Sequence, residues 1–355
     1  MTASNPKPTI NDVARVAGVS LATVDRVLNE RAGVRSITIG KVHEAVAQLG
    51  YVRDAAAANL ARQRSYRLVF IVPDTSNGFV LALQRELAEQ SARLIHERTI
   101  IECVPVSPFD PTAVIEVLDQ LHARGVDGVA VFGPVSPAVN DAVQRVSDQG
   151  IAVVALVADL PDSVCDHFVG IDNVAAGRTA AKLLGRFMAG SGRILVITGS
   201  HLARDHVERL KGFNEVMSEE FPALKVVTSI EGHDDNDLIQ DLLPSVFTNY
   251  PDISGIYSAA AGNRGLMRHL QQTDRRNDFM IVAHELTETT RAALRNGVFD
   301  AVISQDSGHL VRSATRLLKA TADRIPFDKT QERIRIDIYL RENMPAQILE
   351  EETVS

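Results

Sequence analysis

One short segment carries side chains suited to reading a nucleic acid. Between Ser20 and Asn29, apolar Val24, Val27 and Leu28 recur at helical spacing, leaving Leu21, Ala22, Thr23, Asp25, Arg26 and Asn29 on the other side. Arg26 there can fork onto a guanine edge, and Leu21 and Ala22 can touch thymine methyl groups. Thr23, beside a helix start capped by Ser20, suits a phosphate. Catalytic patterns do not accompany this face: the sequence has no GxSxG, no HExxH and no spaced Cys/His set for zinc. GHDDND at 232–237 gathers His233, Asp234, Asp235 and Asp237 without the glycine or the twelve-residue spacing of a calcium loop. Four adjacent side chains cannot all turn to one ion, so a solvated loop giving one or two residues to a pocket is expected. No enzyme, cofactor or metal is expected.

The reading face needs a scaffold, and the flanking residues supply one. Thr9-Ile10-Asn11-Asp12 offers a hydroxyl cap with an acid three places on, followed by Val13, Ala14 and Ala17 at helical spacing. Gly18 ends that helix, and a three-residue turn leads to the second. A small Ala14 lets the two helices approach, which with Gly18 and Val24 specifies a helix-turn-helix. A third helix, with Val42, Ala45, Val46 and Leu49 at i, i+3, i+4 and i+7 and ended by Gly50, completes the core.

Charge is distributed to match. The chain of 355 residues has a net charge of −8, yet residues 1–65 hold nine bases against five acids. A basic head on an acidic body is expected where only the head meets a polyanion. The 45% apolar and 23% charged composition excludes a disordered tail or a small disulfide scaffold. Apolar runs such as 151–158 are too short to cross a bilayer, so no membrane partner is expected. The opening MTASNPKP lacks the pattern of a secretory signal, and only Cys103 and Cys165 occur. A cytoplasmic location is the expectation.

From Arg67 onward, β-rich runs alternate with helical ones: 68–72 then 81–95, 100–104 then 113–124, 126–132 then 138–149. A second series has strands at 193–198, 226–230, 253–258 and 279–284, each followed by helical sequence. Two parallel-sheet subdomains fit that count. The runs 301–305 and 333–339 are expected to cross back between them.

TINDVARVAGVSLATVDRVLN, the third helix running into QLGYVRDAAAANLAR and the strand RLVFIVPD resemble the lactose-repressor (LacI/GalR) family of bacterial transcription regulators, over almost the whole chain. The resemblance implies a small all-α helix-turn-helix headpiece joined to an α/β bilobal effector domain of two Rossmann-like parallel-sheet subdomains, similar to type I periplasmic sugar-binding proteins. The expected divisions are headpiece 1–52, hinge helix and linker 53–66, ligand-binding and dimerisation body 67–345, and tail 346–355. Leu21, Ala22 and Arg26 then hold base-reading positions, with Thr9, Ser20, Thr23 and Asn29 around them. Ala57-Ala58-Asn59-Leu60 falls at the family's hinge helix, where Ala57 would approach the duplex and Leu60 would wedge between base pairs in the minor groove. Asp25 stands where the family has Ser, Ala58 where it has Arg, and Arg53-Asp54 where it has Pro-Asn.

For the body, the resemblance implies a ligand in the crevice at the carboxyl ends of the strands. The polar and aromatic residues there are Asp74, Ser76, Asn77 and Phe79 after the first strand, and Asp159 after the fourth. The second lobe offers His206, Arg209, His233, Asn263 and His284, and the crossover offers Gln305. Ala260-Ala261 replaces the Asn-Asp pair of the sugar-binding relatives, so Asn263 is the substitute. Asp172 and Asn173 are read as helix caps. Amides, acids and histidines beside an aromatic ring suit a polyhydroxylated effector, a sugar or polyol. The implied protein is a homodimeric repressor binding operator DNA under control of that effector. The alternative is a solute-binding protein of a sugar transport system.

Overall fold

The computed structural model describes residues 8–28, 33–51, 64–161, 163, 165–328 and 332–345. The chain falls into two units, Met1–Arg64 and Ser65–Ser355. In the first, Thr9 and Asp12 form a reciprocal capping box that starts α1 (Ile10–Ala17), with Thr9 N–H donating to Asp12 Oδ2 at 2.9 Å. Those hydrogen bonds and Arg15 lower the Asp12 pKa to about 2. Gly18 takes the left-handed conformation at φ 64°, and Val19 N–H closes the turn on Ala14 O at 3.1 Å. Ser20 then accepts from Thr23 N–H at the start of α2 (Leu21–Leu28). With α3 (Ser36–Leu49), these helices bury Val13, Ala17, Val24, Val27, Val42 and Ala45 in one small core.

The second unit is a pair of α/β lobes. Its first sheet contains β1 (Tyr66–Pro73), β2 (Thr99–Val106), β3 (Gly128–Val131), β4 (Ala152–Leu156) and β5 (His167–Val169), ordered β2-β1-β3-β4-β5 and parallel throughout. Between them run α4 (Gly78–Leu94), α5 (Pro111–Gln120) and α6 (Pro137–Asp148). Central strands such as GVAV and AVVAL are buried at every position, because helices cover both faces.

The second lobe opens with α7 (Asn173–Met188), and its sheet is ordered β11-β10-β9-β8-β6-β7. Its strands are β6 (Gly192–Thr198), β7 (Leu224–Glu231), β8 (Ile253–Ser258), β9 (Met280–His284), β10 (Ala301–Ser304) and β11 (Asp337–Tyr339), the last antiparallel to β10. The connecting helices are α8 (Arg204–Glu220), α9 (Asn236–Asn249), α10 (Asn263–Gln272) and α11 (Glu288–Arg295). After β10 the chain returns to the first lobe as α12 (Ser307–Ala322), which packs on α4, β3 and β4, and then crosses again to β11. One buried cluster links both lobes, from Leu68 and Phe70 through Ala180 to Val282 and Leu310.

Four details depart from the sequence expectation. The runs 301–305 and 333–339, expected to cross between the subdomains, supply β10 and β11 of the second sheet, and the return to the first lobe is made by α12. The late strand covers only 337–339 of the expected 333–339, because β10 offers just three paired positions. The edge strand β5 carries no apolar run and follows from its pairing with β4. Tyr66, placed in the linker by sequence, already pairs with Thr99 as the first residue of β1.

Candidate functional site

In the head, the α2 face opposite the core is open. Leu21 is 47% exposed, and Ala22 and Arg26 are exposed beside it. Thr23 is half-buried, its hydroxyl 2.9 Å from Ser20 Oγ, so these two residues shape the helix start. The helix thus presents apolar contacts and one guanidinium beside a start capped by Ser20. Asn29, Ala57 and Leu60 lie outside the described residues, as do most of the expected hinge and the tail.

In the body, a cavity of about 890 Å³ opens between the lobes at the carboxyl ends of the strands. It brings together Ser76, Asn77, Phe79, His206, Arg209, Asn263, His284 and Gln305 of the expected set. Asp74, Asp159 and His233 are not on its lining. Asp74 is exposed, its amide tied to Val106 O. Asp159 folds back onto the amide of Leu160 at 2.8 Å. His233 turns its ring edge to Phe109, 6.4 Å between centroids, and the loop's contribution passes to Asp234 and Asn236.

Arg209, 2% exposed, organises the deep wall. Its Nε donates to Asn173 Oδ1 at 2.9 Å, its Nη1 to Ala259 O at 3.0 Å and its Nη2 to Glu285 Oε1 at 3.3 Å, with Asp205 Oδ2 3.8 Å away. Asn173 can serve because the first turn of α7, capped by Asp172, aims its amide inward. Burial raises the Glu285 pKa, and Arg209 and Gln305 oppose that shift. Glu285 sits at φ 64°, pinned by its amide on Ile303 O and by Thr290 Oγ1 on its carbonyl, both at 2.7 Å.

Sequence reasoning missed Asn173 as a site residue, and missed Asp205 and Glu285 altogether. Both acids are chain neighbours of histidines the strand-end rule did find, but their burial follows from the Arg209 guanidinium, one helical turn from Asp205 on α8 and brought to Glu285 from a different element.

His206 accepts from Ser200 N–H on Nδ1 at 3.3 Å. Phe79 is buried in the shared core and also lines the cavity, so it serves both roles. Asn77 Nδ2 donates across the cleft to Asp234 Oδ2 at 3.1 Å, and Gly78 lies so close to Thr287 that an added Cβ would stand 2.9 Å from its Cγ2. Several buried polar atoms of the lining have no hydrogen-bond partner among the described residues: Asp234 Oδ1, Asn263 Oδ1, His284 Nδ1 and Gln305 Oε1. Buried polar atoms are rarely left so, and these point to a hydrogen-bonding ligand. The cavity can bind and orient a small polar molecule.

Comparison with known proteins places both units. Residues 68–324 match the periplasmic binding protein domain model, and residues 9–54 match the model for bacterial regulatory proteins of the lacI family. The HTH-type transcriptional regulator DegA of Bacillus subtilis is 30% identical over 214 residues, 60% of this chain and 61% of that protein. Catabolite control protein A of Staphylococcus epidermidis is 32% identical over 213 residues, 59% of this chain and 61% of the relative. The chain thus spans about three fifths of the length of each. Among solved structures, a solute-binding protein of Burkholderia graminis in complex with D-arabinose aligns with a TM-score of 0.73 at 20% identity, covering 80% of this chain and 98% of that one. A Bacillus halodurans solute-binding protein with bound myo-inositol aligns at 0.71 and 17% identity, covering 79% and 96%. These likenesses show the fold of the body. Among the described residues, no helix is long and apolar enough to cross a membrane.

Proposed function

From the premise that this chain belongs to the periplasmic binding protein domain family and carries a lacI-family regulatory domain at its head, we propose that it is a DNA-binding transcriptional regulator, acting as a repressor, controlled by a small polyhydroxylated molecule. One observation carries the reading: a single chain holds both the open α2 face with Arg26 and an interlobe cavity with unpartnered hydrogen-bonding atoms. A solute-capture protein needs the second and has no use for the first. Hydroxyl groups donate and accept, so a sugar or polyol can satisfy Asp234, Gln305 and Asn263 together. Leu21, Ala22 and Arg26 read base edges, and Leu60 wedges into the minor groove of a near-palindromic operator bound by a homodimer. The protein works in the cytoplasm and turns over no substrate.

Ligand changes operator affinity by its differential affinity for the two lobe arrangements, and by no more than that. A thermal-shift screen of the purified chain against sugars and polyols tests the body, since a ligand raises the melting point by mass action. The expected result is stabilisation by at least one, which then alters retention of operator DNA. A screen in which no sugar or polyol stabilises the protein overturns the polyhydroxyl effector. Stabilisation with unchanged operator binding overturns the regulatory link.

A further inference from the structure

The histidine at the end of β9 meets a buried phenol on one ring nitrogen and leaves the other buried without a partner among the described residues. The Tyr257 hydroxyl lies 2.9 Å from His284 Nε2. Tyr257 is fully enclosed, its ring stacked on Phe213 at 4.3 Å between centroids, and among the described residues its hydroxyl has no other hydrogen-bond partner. Burial holds the phenol protonated throughout the working range of the fold. A buried hydroxyl proton is satisfied by donation, and the acceptor in reach is Nε2. Donation by Tyr257 requires an Nε2 that carries no hydrogen. Burial, with Arg209 and His206 beside it, keeps the imidazole neutral. The remaining ring proton then sits on Nδ1, which is buried, has no hydrogen-bond partner among the described residues and belongs to a residue of the cavity wall.

We propose that His284, locked by Tyr257 as an Nδ1–H donor, is the specificity-determining donor of the cavity and selects a ligand that turns an oxygen lone pair toward it. The proposal rests on the reading of the cavity as the effector site. The lining also holds acceptors. Gln305 Nε2 donates to Glu285 Oε1 at 3.0 Å, which leaves Oε1 as an acceptor. Asp234 Oδ1 is an acceptor by chemistry. A fitting ligand offers hydroxyl hydrogens to Gln305 and Asp234 and a lone pair to His284. A protonated amine facing His284 would set N–H against N–H and is rejected.

Long-range proton–nitrogen spectra of the full-length 15N-labelled chain, with the His284 signals assigned by their loss in His284→Asn, should show a protonated Nδ1 and a bare Nε2. The reverse pattern overturns the proposal. Tyr257→Phe should shift the ring toward the Nε2–H form, and an unchanged ring would show that Tyr257 does not set it. Binding supplies the second readout, with D-arabinose and myo-inositol as probes. His284→Leu should weaken the bound probe roughly ten- to hundredfold. His284→Asn, whose amide N–H can reach the place of Nδ1, should restore most of that loss. Equal losses in both variants overturn the donor role. If neither probe binds the unmodified chain, the sugar reading of the site is weakened, and the spectra still decide the tautomer.

Discussion

Arg209 shows how one buried cation fixes the chemistry around it. Asp205 and Glu285 are stable in the interior because the guanidinium stands between them. Arg209→Met should therefore destabilise the chain by roughly 3–5 kcal/mol, as two acids lose their partner. Thermal denaturation of the variant measures this, and a loss below about 1 kcal/mol would mean the acids are protonated or hydrated without it. His284 gives a pH signature of fixed sign. Its folded-state pKa lies below the ordinary 6.5, so the unfolded chain binds the extra proton and folding loses stability as pH falls below about 6.5. The slope approaches about 1.4 kcal/mol per pH unit for one proton. Melting points of the unmodified chain and His284→Asn between pH 7.5 and 5.5 should diverge in the sense that the variant loses less. Parallel curves would refute the buried neutral ring. Sequence made Arg209, His206, His284 and Gln305 legible because they follow strand ends. Glu285 and Asp205 were hidden because their partner is set by a contact 76 residues away in one case and by a helix turn in the other.

The elements holding these residues are seated on glycines. Where α7 crosses α8, a Cβ on Gly177 would stand 1.9 Å from Arg209 O, and one on Gly212 would stand 2.0 Å from Val174 O. Both obstacles are backbone, so neither helix can yield locally. Gly177→Ala should push α8 outward and carry Arg209 away from Asn173. The expected outcome is a loss of roughly 1–3 kcal/mol in stability together with weakened effector binding. Retained affinity at reduced stability would show that the wall of the cavity tolerates the shift. The helical periods of α7 and α8 were readable, whereas this close approach requires two glycines from different helices to meet. In the head the element is α2, and its exposed Arg26 should discriminate one base pair. Arg26→Ala should cost roughly 1–3 kcal/mol at that position alone, measured by competition among operator variants. A uniform loss across all sequences would instead assign Arg26 to the phosphate backbone.

At the scale of the body, the lobes are joined by the shared core and, at the cavity, by a hydrogen bond across the cleft. Asn77 reaches Asp234 at the cavity mouth, where Phe109, His233 and Asp234 all hold left-handed backbone at φ 60°, 48° and 60°. Asn77→Ala should loosen the closed arrangement in the absence of effector, and distances between spin labels on the two lobes would lengthen. An unchanged distribution would leave closure to the shared core. That core was foreseeable as two parallel sheets, but its continuity was not, since it depends on α12 leaving one lobe to cover the other. The return of α12 also sets the order in which the protein can mature on the ribosome. Leu310, Ala314, Leu317 and Leu318 complete the inner face of the first lobe, although its strands end at Val169. The first lobe must wait, half-covered, while the second is synthesised, whereas the described core of the three-helix head is drawn from residues 10–51. At about 5–20 residues per second, the nascent chain spends on the order of ten seconds or more in that state. During that interval the three-helix head stands complete before the cavity of the body exists.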